Sequence, residues 1–173
     1  MTTLITGGSK CGKSRYAEKI FSNIYNEKLY IATMLPYGNE AYAAIERHRK
    51  MREGKGFKTI EKYTDVHEIL LSDNSSVLLE CIGNLCANEM FSSNKMIDPT
   101  DKIIMGVQHL SSIAKETVIV TNQVGGDGIE YAKETAEYIR VLGEINRRIA
   151  EFSDNVIECV YGIPILLKGV LPC

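Results

Sequence analysis

Residues 7–14, GGSKCGKS, constrain this chain more than any other stretch. They follow a short run rich in β-branched residues, Thr2-Thr3-Leu4-Ile5-Thr6, and read as G-x-x-x-x-G-K-S. An amphipathic stretch comes next, with Tyr16, Ala17, Ile20, Phe21 and Ile24 at helical spacing. Strand, glycine loop and helix is the order a phosphate-binding loop needs. Gly7 and Gly12 let the backbone turn back on itself. The N–H groups of the loop, through Gly8, Ser9, Lys10 and Cys11, can then approach phosphate oxygens. The start of the new helix adds a partial positive charge. In such a loop Lys13 reaches the terminal phosphates and the Ser14 hydroxyl binds Mg²⁺. A glycine-rich turn matching by chance is the competing reading, and it leaves the flanking strand and helix unexplained.

Short apolar runs alternate with longer amphipathic ones along the rest of the chain. The pattern predicts strands over Lys28–Thr33, Lys58–Glu61, Ser76–Cys81, Thr117–Thr121, Asn155–Tyr161 and Ile165–Lys168. It predicts helices over Gly38–Arg52, Asp65–Leu71, Ile82–Phe91, Asp98 to about Lys115, and Ala132–Phe152. Asp65 and Glu68 are spaced as a capping box, and Asp98-Pro99 reads as a cap with proline at the first helical position. Gly162-Ile163-Pro164 marks a short loop, so the last strand is expected to be antiparallel. Strands alternating with crossover helices imply a single α/β domain over residues 1–173. Its fold is P-loop NTPase-like: a mostly parallel sheet, helices on both faces and a C-terminal antiparallel hairpin. In such sheets the ligand crevice lies at the carboxyl ends of the strands. That places the loop after Thr6, the residues after Thr33, Glu80, and the segment after Thr121 on one rim. Residues 92–95 and 125–128 are expected to be the mobile loops.

Composition narrows the function classes. A net charge of −2 gives no general pull toward nucleic acid or an anionic membrane. No apolar run approaches the roughly 20 residues of a membrane span, and the first residues read as a core strand, not a signal peptide. Five cysteines, at 11, 81, 86, 159 and 173, form no C-x-x-C pair and no zinc-type spacing. A reducing cytoplasm is the expected setting.

Two residues stand out beyond the loop. Glu80 ends an apolar strand, where an acid can meet Mg²⁺ or its waters; otherwise it is a solvated strand end. His48 shares a helix face with Ala41, Ala44 and Ile45, and spacing alone favours a histidine merely packed there. The sharper reading is a nucleophile, a neutral imidazole that attacks the α-phosphate of a nucleotide and carries a nucleotidyl group. Arg47, Arg49, Lys50 and Arg52 would then stabilise the developing charge. His67 and His109 read as structural or surface residues. The N-K-x-D guanine signature and a switch-type D-x-x-G are both missing, which disfavours a switch GTPase.

Taken together, these segments resemble the bifunctional adenosylcobinamide kinase and adenosylcobinamide-phosphate guanylyltransferase family of cobalamin biosynthesis. The resemblance runs through Ile5–Arg15, Ala17-Glu18, Tyr30–Thr33, then Glu40, Ile45, His48 and Arg52. It continues with Thr59 and Glu61, Leu78–Cys81, Asn88, Val120–Asn122 and Val124-Gly125. It closes with Arg140, Gly143, Asn146, Ile149-Ala150, Asp154, Gly162–Pro164 and Leu167-Lys168. The resemblance implies phosphorylation of adenosylcobinamide by ATP or GTP, then transfer of GMP from GTP onto that phosphate. It implies a guanylylated histidine at His48. It also implies a nucleotide site formed by the P-loop, Ala32, Thr33, Met34, Arg49, Lys50, Met51, Arg52, Glu61 and Glu80, and a homotrimer. This chain departs from the family at Ala44 (usually Arg), at Phe57 (usually Trp), and at Asn122-Gln123-Val124-Gly125, where the family has N-E-V-G. The run 126–130 departs from it as well. Gln123 thus removes a charge from the ligand rim. A monofunctional small-molecule kinase and a non-catalytic nucleotide-binding regulator are the alternatives, and neither forms a covalent nucleotide on His48.

Overall fold

The computed structural model describes residues 1–93, 95–126 and 128–172. Asn94 and Asp127, in the two loops expected to be mobile, and Cys173 lie outside the described residues. In chain order the elements are β1 (Thr2–Thr6), α1 (Lys13–Ile20), β2 (Glu27–Ala32), α2 (Gly38–Arg52) and β3 (Phe57–Glu61). Then come β4 (Ser75–Glu80), α3 (Ile82–Met90), α4 (Thr100–Ile113), β5 (Glu116–Val120), α5 (Lys133–Phe152), β6 (Asn155–Val160) and β7 (Ile163–Lys168).

The strands form one seven-stranded sheet in the order β3-β2-β4-β5-β1-β6-β7, parallel except for the antiparallel pair β6–β7. Side chains alternate across each strand, so each strand feeds two cores. Leu4, Leu29, Ile31, Val77, Leu79 and Ile119 face the layer of α3, α4 and α5. Ile5, Tyr30, Leu78, Val118 and Val120 face α1, with Ala17, Ile20 and Phe21 packed on them. Burying each large aliphatic side chain contributes roughly 1.5–3 kcal/mol. The near-continuous apolar runs of β4 and β5 follow from being covered on both sides.

Three local expectations need correction. Asp65 does not cap a helix: its φ is 54°, and only a single 3₁₀ turn, Val66–Glu68, follows. Its carboxylate pairs with Lys102 at 2.6 Å and that of Glu68 with Lys62 at 2.6 Å. The capping-box partners are therefore claimed by lysines. The fourth helix starts at Thr100, later than expected, with Pro99 as its cap residue. Asp98 accepts the Thr100 N–H at 3.0 Å. The terminal turn is Tyr161-Gly162, with φ of 50° and 83°, the type I′ pattern. Ile163 and Pro164 belong to β7, and Pro164 is tolerated there because β7 is an edge strand.

Candidate active site

The loop after β1 folds over the start of α1. Gly7 has a φ of 140°, and a Cβ there would stand 2.5 Å from the Cys159 carbonyl oxygen. Both the conformation and the close approach require glycine. Lys13 is 6% exposed and curls back into the loop. Its Nζ donates to the carbonyl oxygens of Gly7 at 2.9 Å and Gly8 at 2.5 Å. The ammonium is thus stored where triphosphate oxygens could replace neutral carbonyls.

Glu80 is the hub of the opposite wall. It is 9% exposed at the end of β4. Its Oε1 accepts the Ser14 hydroxyl, and its Oε2 accepts the Tyr30 hydroxyl at 3.1 Å. Burial first, and then the Glu80 charge, raise the Tyr30 phenol far above its ordinary value, which keeps it a donor. The Glu80–Cys81 peptide is cis. Burial pushes the Cys81 thiol up to about 11, so it is not poised as a nucleophile at neutral pH.

Helix α2 supplies the third wall. Ala41, Ala44, Ile45, His48, Met51 and Arg52 form its less exposed stripe. Ile45, His48, Met51 and Arg52 of this stripe line a cavity, as does Arg47 beside it. The His48 Nδ1 lies 3.8 Å from Glu80 Oε1, buried and without a hydrogen-bond partner among the described residues. The Arg52 guanidinium carbon stands 3.4 Å from the centroid of the Tyr30 ring. Its Nη2 donates to Thr59 Oγ1 at 3.4 Å, and its buried Nη1 has no partner among the described residues.

These walls enclose a cavity of about 480 Å³. Ser9 through Ser14, Ala32, Met34, His48, Met51, Arg52 and Glu80 all line it. Lys10, Lys13, Arg15, Arg47 and Arg52 face a single carboxylate there, an imbalance suited to polyphosphate. Other residues named from the sequence lie elsewhere. Gly7, packed against Cys159 and Cys11, does not line this cavity, and Gly8 lines a second cavity on the far side of the loop. Thr33 is fully buried; its hydroxyl donates to the Cys81 carbonyl and accepts the Cys81 N–H, each at 2.8 Å. Arg49 is turned outward, paired with Glu46 and Glu61 at 3.0 Å each. Lys50 lines a shallow groove on the other side of α2. His67 and His109 do not line the cavity.

Tyr30, Asn84 and Asn122 line the cavity and were not singled out as site residues from the sequence. Tyr30 had a readable signal: it lies two residues before Ala32 on β2 and so shares its face. Asn84 sits in the first turn after the Glu80 strand end, where α3 leaves the rim.

Comparison with known proteins agrees with this geometry. Residues 3–167 match the family model described as cobinamide kinase / cobinamide phosphate guanyltransferase. The chain is 30% identical to the bifunctional adenosylcobalamin biosynthesis protein CobU of Escherichia coli (strain K12), over 97% of this chain and 100% of that protein. The protein of the same description from Salmonella typhimurium (strain LT2) is also 30% identical, with the same coverage. The bifunctional adenosylcobalamin biosynthesis protein CobP of Pseudomonas aeruginosa (strain PAO1) is 25% identical over 98% of each chain. With a phosphate loop, a strand-end carboxylate and a histidine around one cationic cavity, and a match along nearly its whole length, this chain belongs to the cobinamide kinase / cobinamide phosphate guanyltransferase family.

Proposed function

We propose that this enzyme phosphorylates adenosylcobinamide with ATP or GTP, then transfers GMP from GTP onto the new phosphate through a guanylyl-His48 intermediate. The observation that carries the reading is the placement of His48. Its Nδ1 is turned toward the Glu80 carboxylate at 3.8 Å, inside the cavity that the phosphate loop also lines. The carboxylate favours the proton on Nδ1, which leaves the Nε2 lone pair as the nucleophile. Nε2 attacks the α-phosphorus of GTP; an N–P bond forms and the bond to the bridging oxygen of pyrophosphate breaks. An oxygen of the acceptor phosphate then attacks the same phosphorus, and the N–P bond breaks. Arg52 and Arg47 line this cavity and are placed to meet charge on the transferred group.

In this reading Lys13 and the loop from Gly7 to Ser14 hold the triphosphate, and Ala32, Met34 and Met51 flank the nucleoside. Thr33 supports the site by fixing the start of the Cys81 segment, and Glu61 acts through Arg49, which it orients. Lys50 contributes only long-range positive charge. The Ser14 hydroxyl and the Glu80 carboxylate touch one another, and both are hard oxygen donors that suit Mg²⁺. Mg²⁺ bound there would neutralise charge on the phosphates.

Assembly as a homotrimer belongs to the same proposal. Strand β7 is an unpaired edge, and Ile163 at 65% and Leu167 at 58% exposure leave it apolar. Sedimentation of the purified protein tests this. A cytoplasmic setting is supported by four free cysteines at 11, 81, 86 and 159. No helix among the described residues is long and apolar enough to cross a membrane.

The decisive experiment is incubation with GTP labelled at the α-phosphate, followed by denaturation and peptide mapping. Label is expected on His48 through a phosphoramidate, labile in acid and persistent in base. His48→Ala should abolish the adduct and GMP transfer while phosphorylation of adenosylcobinamide survives. Label on His67 or His109, or label retained by His48→Ala, overturns the assignment. Parent protein that takes up no label, with normal phosphorylation, would point to the monofunctional kinase.

A further inference from the structure

We propose that Glu158 is the base that takes the proton from the acceptor hydroxyl in the kinase step, with Gln123 as its positioning residue; this rests on the kinase reading above. The phosphate loop has a cavity on each side. The second, about 1080 Å³, shares Ser9 through Gly12 and Arg15 with the first and also contains Gln123 and Glu158. Glu80, the carboxylate of the first cavity, is already held by Ser14 and Tyr30. The far side holds two carboxylates: Glu18, 2% exposed and ion-paired with Lys55 at 2.5 Å, and Glu158.

Its position follows from the sheet. β6 lies parallel to β1 with Glu158 in register with Thr6, the last strand residue before the loop. Gln123 ties the two together. Its backbone N–H donates to the Gly7 carbonyl at 3.1 Å, and its Nε2 donates to Glu158 Oε1 at 3.1 Å. Among the described residues the Glu158 carboxylate takes this hydrogen bond and no ion pair. Oε2 is thus available to a substrate; Lys10, Arg15, Lys19 and Lys55 line the same cavity without forming an ion pair to Glu158.

The amide at 123 is what permits this. A glutamate there, as in the N-E-V-G pattern, would place two like charges at hydrogen-bond distance and push one toward the neutral form. With glutamine the pair holds a single acid, and the amide donates to it. The acceptor is an alcohol whose hydroxyl enters the second cavity. Its oxygen attacks the γ-phosphorus and an O–P bond forms. The bond from that phosphorus to the β–γ bridging oxygen breaks, a nucleoside diphosphate leaves, and the hydroxyl proton passes to Glu158 Oε2. A positioned base of this kind is worth about 10²–10⁴ in rate.

The test uses the full chain with adenosylcobinamide and nucleoside triphosphate. In E158Q, kcat for phosphorylation should fall by about 10² or more, with the KM for nucleotide unchanged and guanylyl-His48 formed at the parent rate. Q123A should lower kcat less, again at unchanged nucleotide KM. The exchange Q123E/E158Q returns a carboxylate to the rim and should recover most of the lost rate. Parent-like phosphorylation by E158Q overturns the assignment. An equal loss in both half-reactions also overturns it, because that marks a structural residue. An exchange variant as slow as E158Q overturns the pairing with Gln123. A parent protein that phosphorylates nothing fails the kinase reading instead.

Discussion

Arg52→Met separates two roles of one side chain. Arg52 is 7% exposed and lies over the Tyr30 ring at 3.4 Å. A desolvated cation–π contact of this kind contributes about 2 kcal/mol. The hydrogen bond to Thr59, at 3.4 Å, is long and adds little. Against these stands the buried Nη1, which has no partner among the described residues. A buried donor left unpaired costs about 1–3 kcal/mol. Methionine keeps an apolar stem on the Tyr30 ring while removing both the charge and the unpaired donor. The two terms offset one another, so stability should change by no more than about 1 kcal/mol. Transfer of GMP should behave differently. A preorganised charged contact to a transferring phosphoryl group is worth about 10²–10³ in rate, and methionine cannot supply it. The measurements are urea denaturation and single-turnover labelling by α-labelled GTP. A variant that loses more than about 2 kcal/mol yet transfers GMP at the parent rate would refute the reasoning. Arg52 would then be a packing residue.

Glu80→Gln should flatten the dependence of activity on Mg²⁺ concentration, because the amide is a poorer ligand beside Ser14; a curve superimposable on the parent's removes Glu80 from the metal shell. Gly106→Ala should cost about 1–3 kcal/mol by overpacking. Its Cβ would stand 2.8 Å from Val66 Cγ2 and 3.2 Å from the His67 backbone nitrogen. Gly143→Ala, with open space in α5, should instead add about 0.5–1 kcal/mol through helix propensity; thermal melts of both variants check the opposite signs. The Asp98 carboxyl is held below its usual range by the Thr100 hydroxyl, then by the Thr100 N–H and Arg140. A depressed folded-state value means that its stabilisation is present above the ordinary Asp value of about 4 and is lost as pH falls through the folded value. Asp98→Ala should lower stability near neutral pH and flatten the acid limb, read from denaturation midpoints across a pH series.

Much of this architecture was legible along the chain because the signals are local. Periodicity placed α2 over Gly38–Arg52, as found, and located every strand to within one or two residues. The loop from Gly7 to Ser14 needed only its own residues and its neighbours. Failures came where a distant residue competed for a local group. Asp65 has the spacing of a cap, but Lys102 on α4 takes its carboxylate. Arg49 and Lys50 sit in one basic run with Arg47, His48 and Arg52, yet α2 is rotated so that Arg47, His48 and Arg52 meet the cavity while Arg49 pairs with Glu46 and Glu61 outside it. A run of like residues states composition; the rotation of a helix about its axis is set by what packs beneath it.

From the chain alone it follows that a strand, a phosphate loop and a helix come first, that a parallel sheet follows, and that Glu80 ends a strand at its rim. Local propensity and side-chain period are enough for that, whereas His48 enters the site only through the family resemblance. It takes the folded arrangement to bring His48 within 3.8 Å of Glu80, to join Tyr30 to them, and to set Gln123 against Glu158 across the foot of the loop. Tyr30 and Glu80 sit on the paired strands β2 and β4, His48 reaches Glu80 from α2, and Gln123 reaches Glu158 from the end of β5, with β1 lying between β5 and β6; all are far apart along the chain. Their geometry follows from strand order and register, which no local pattern encodes.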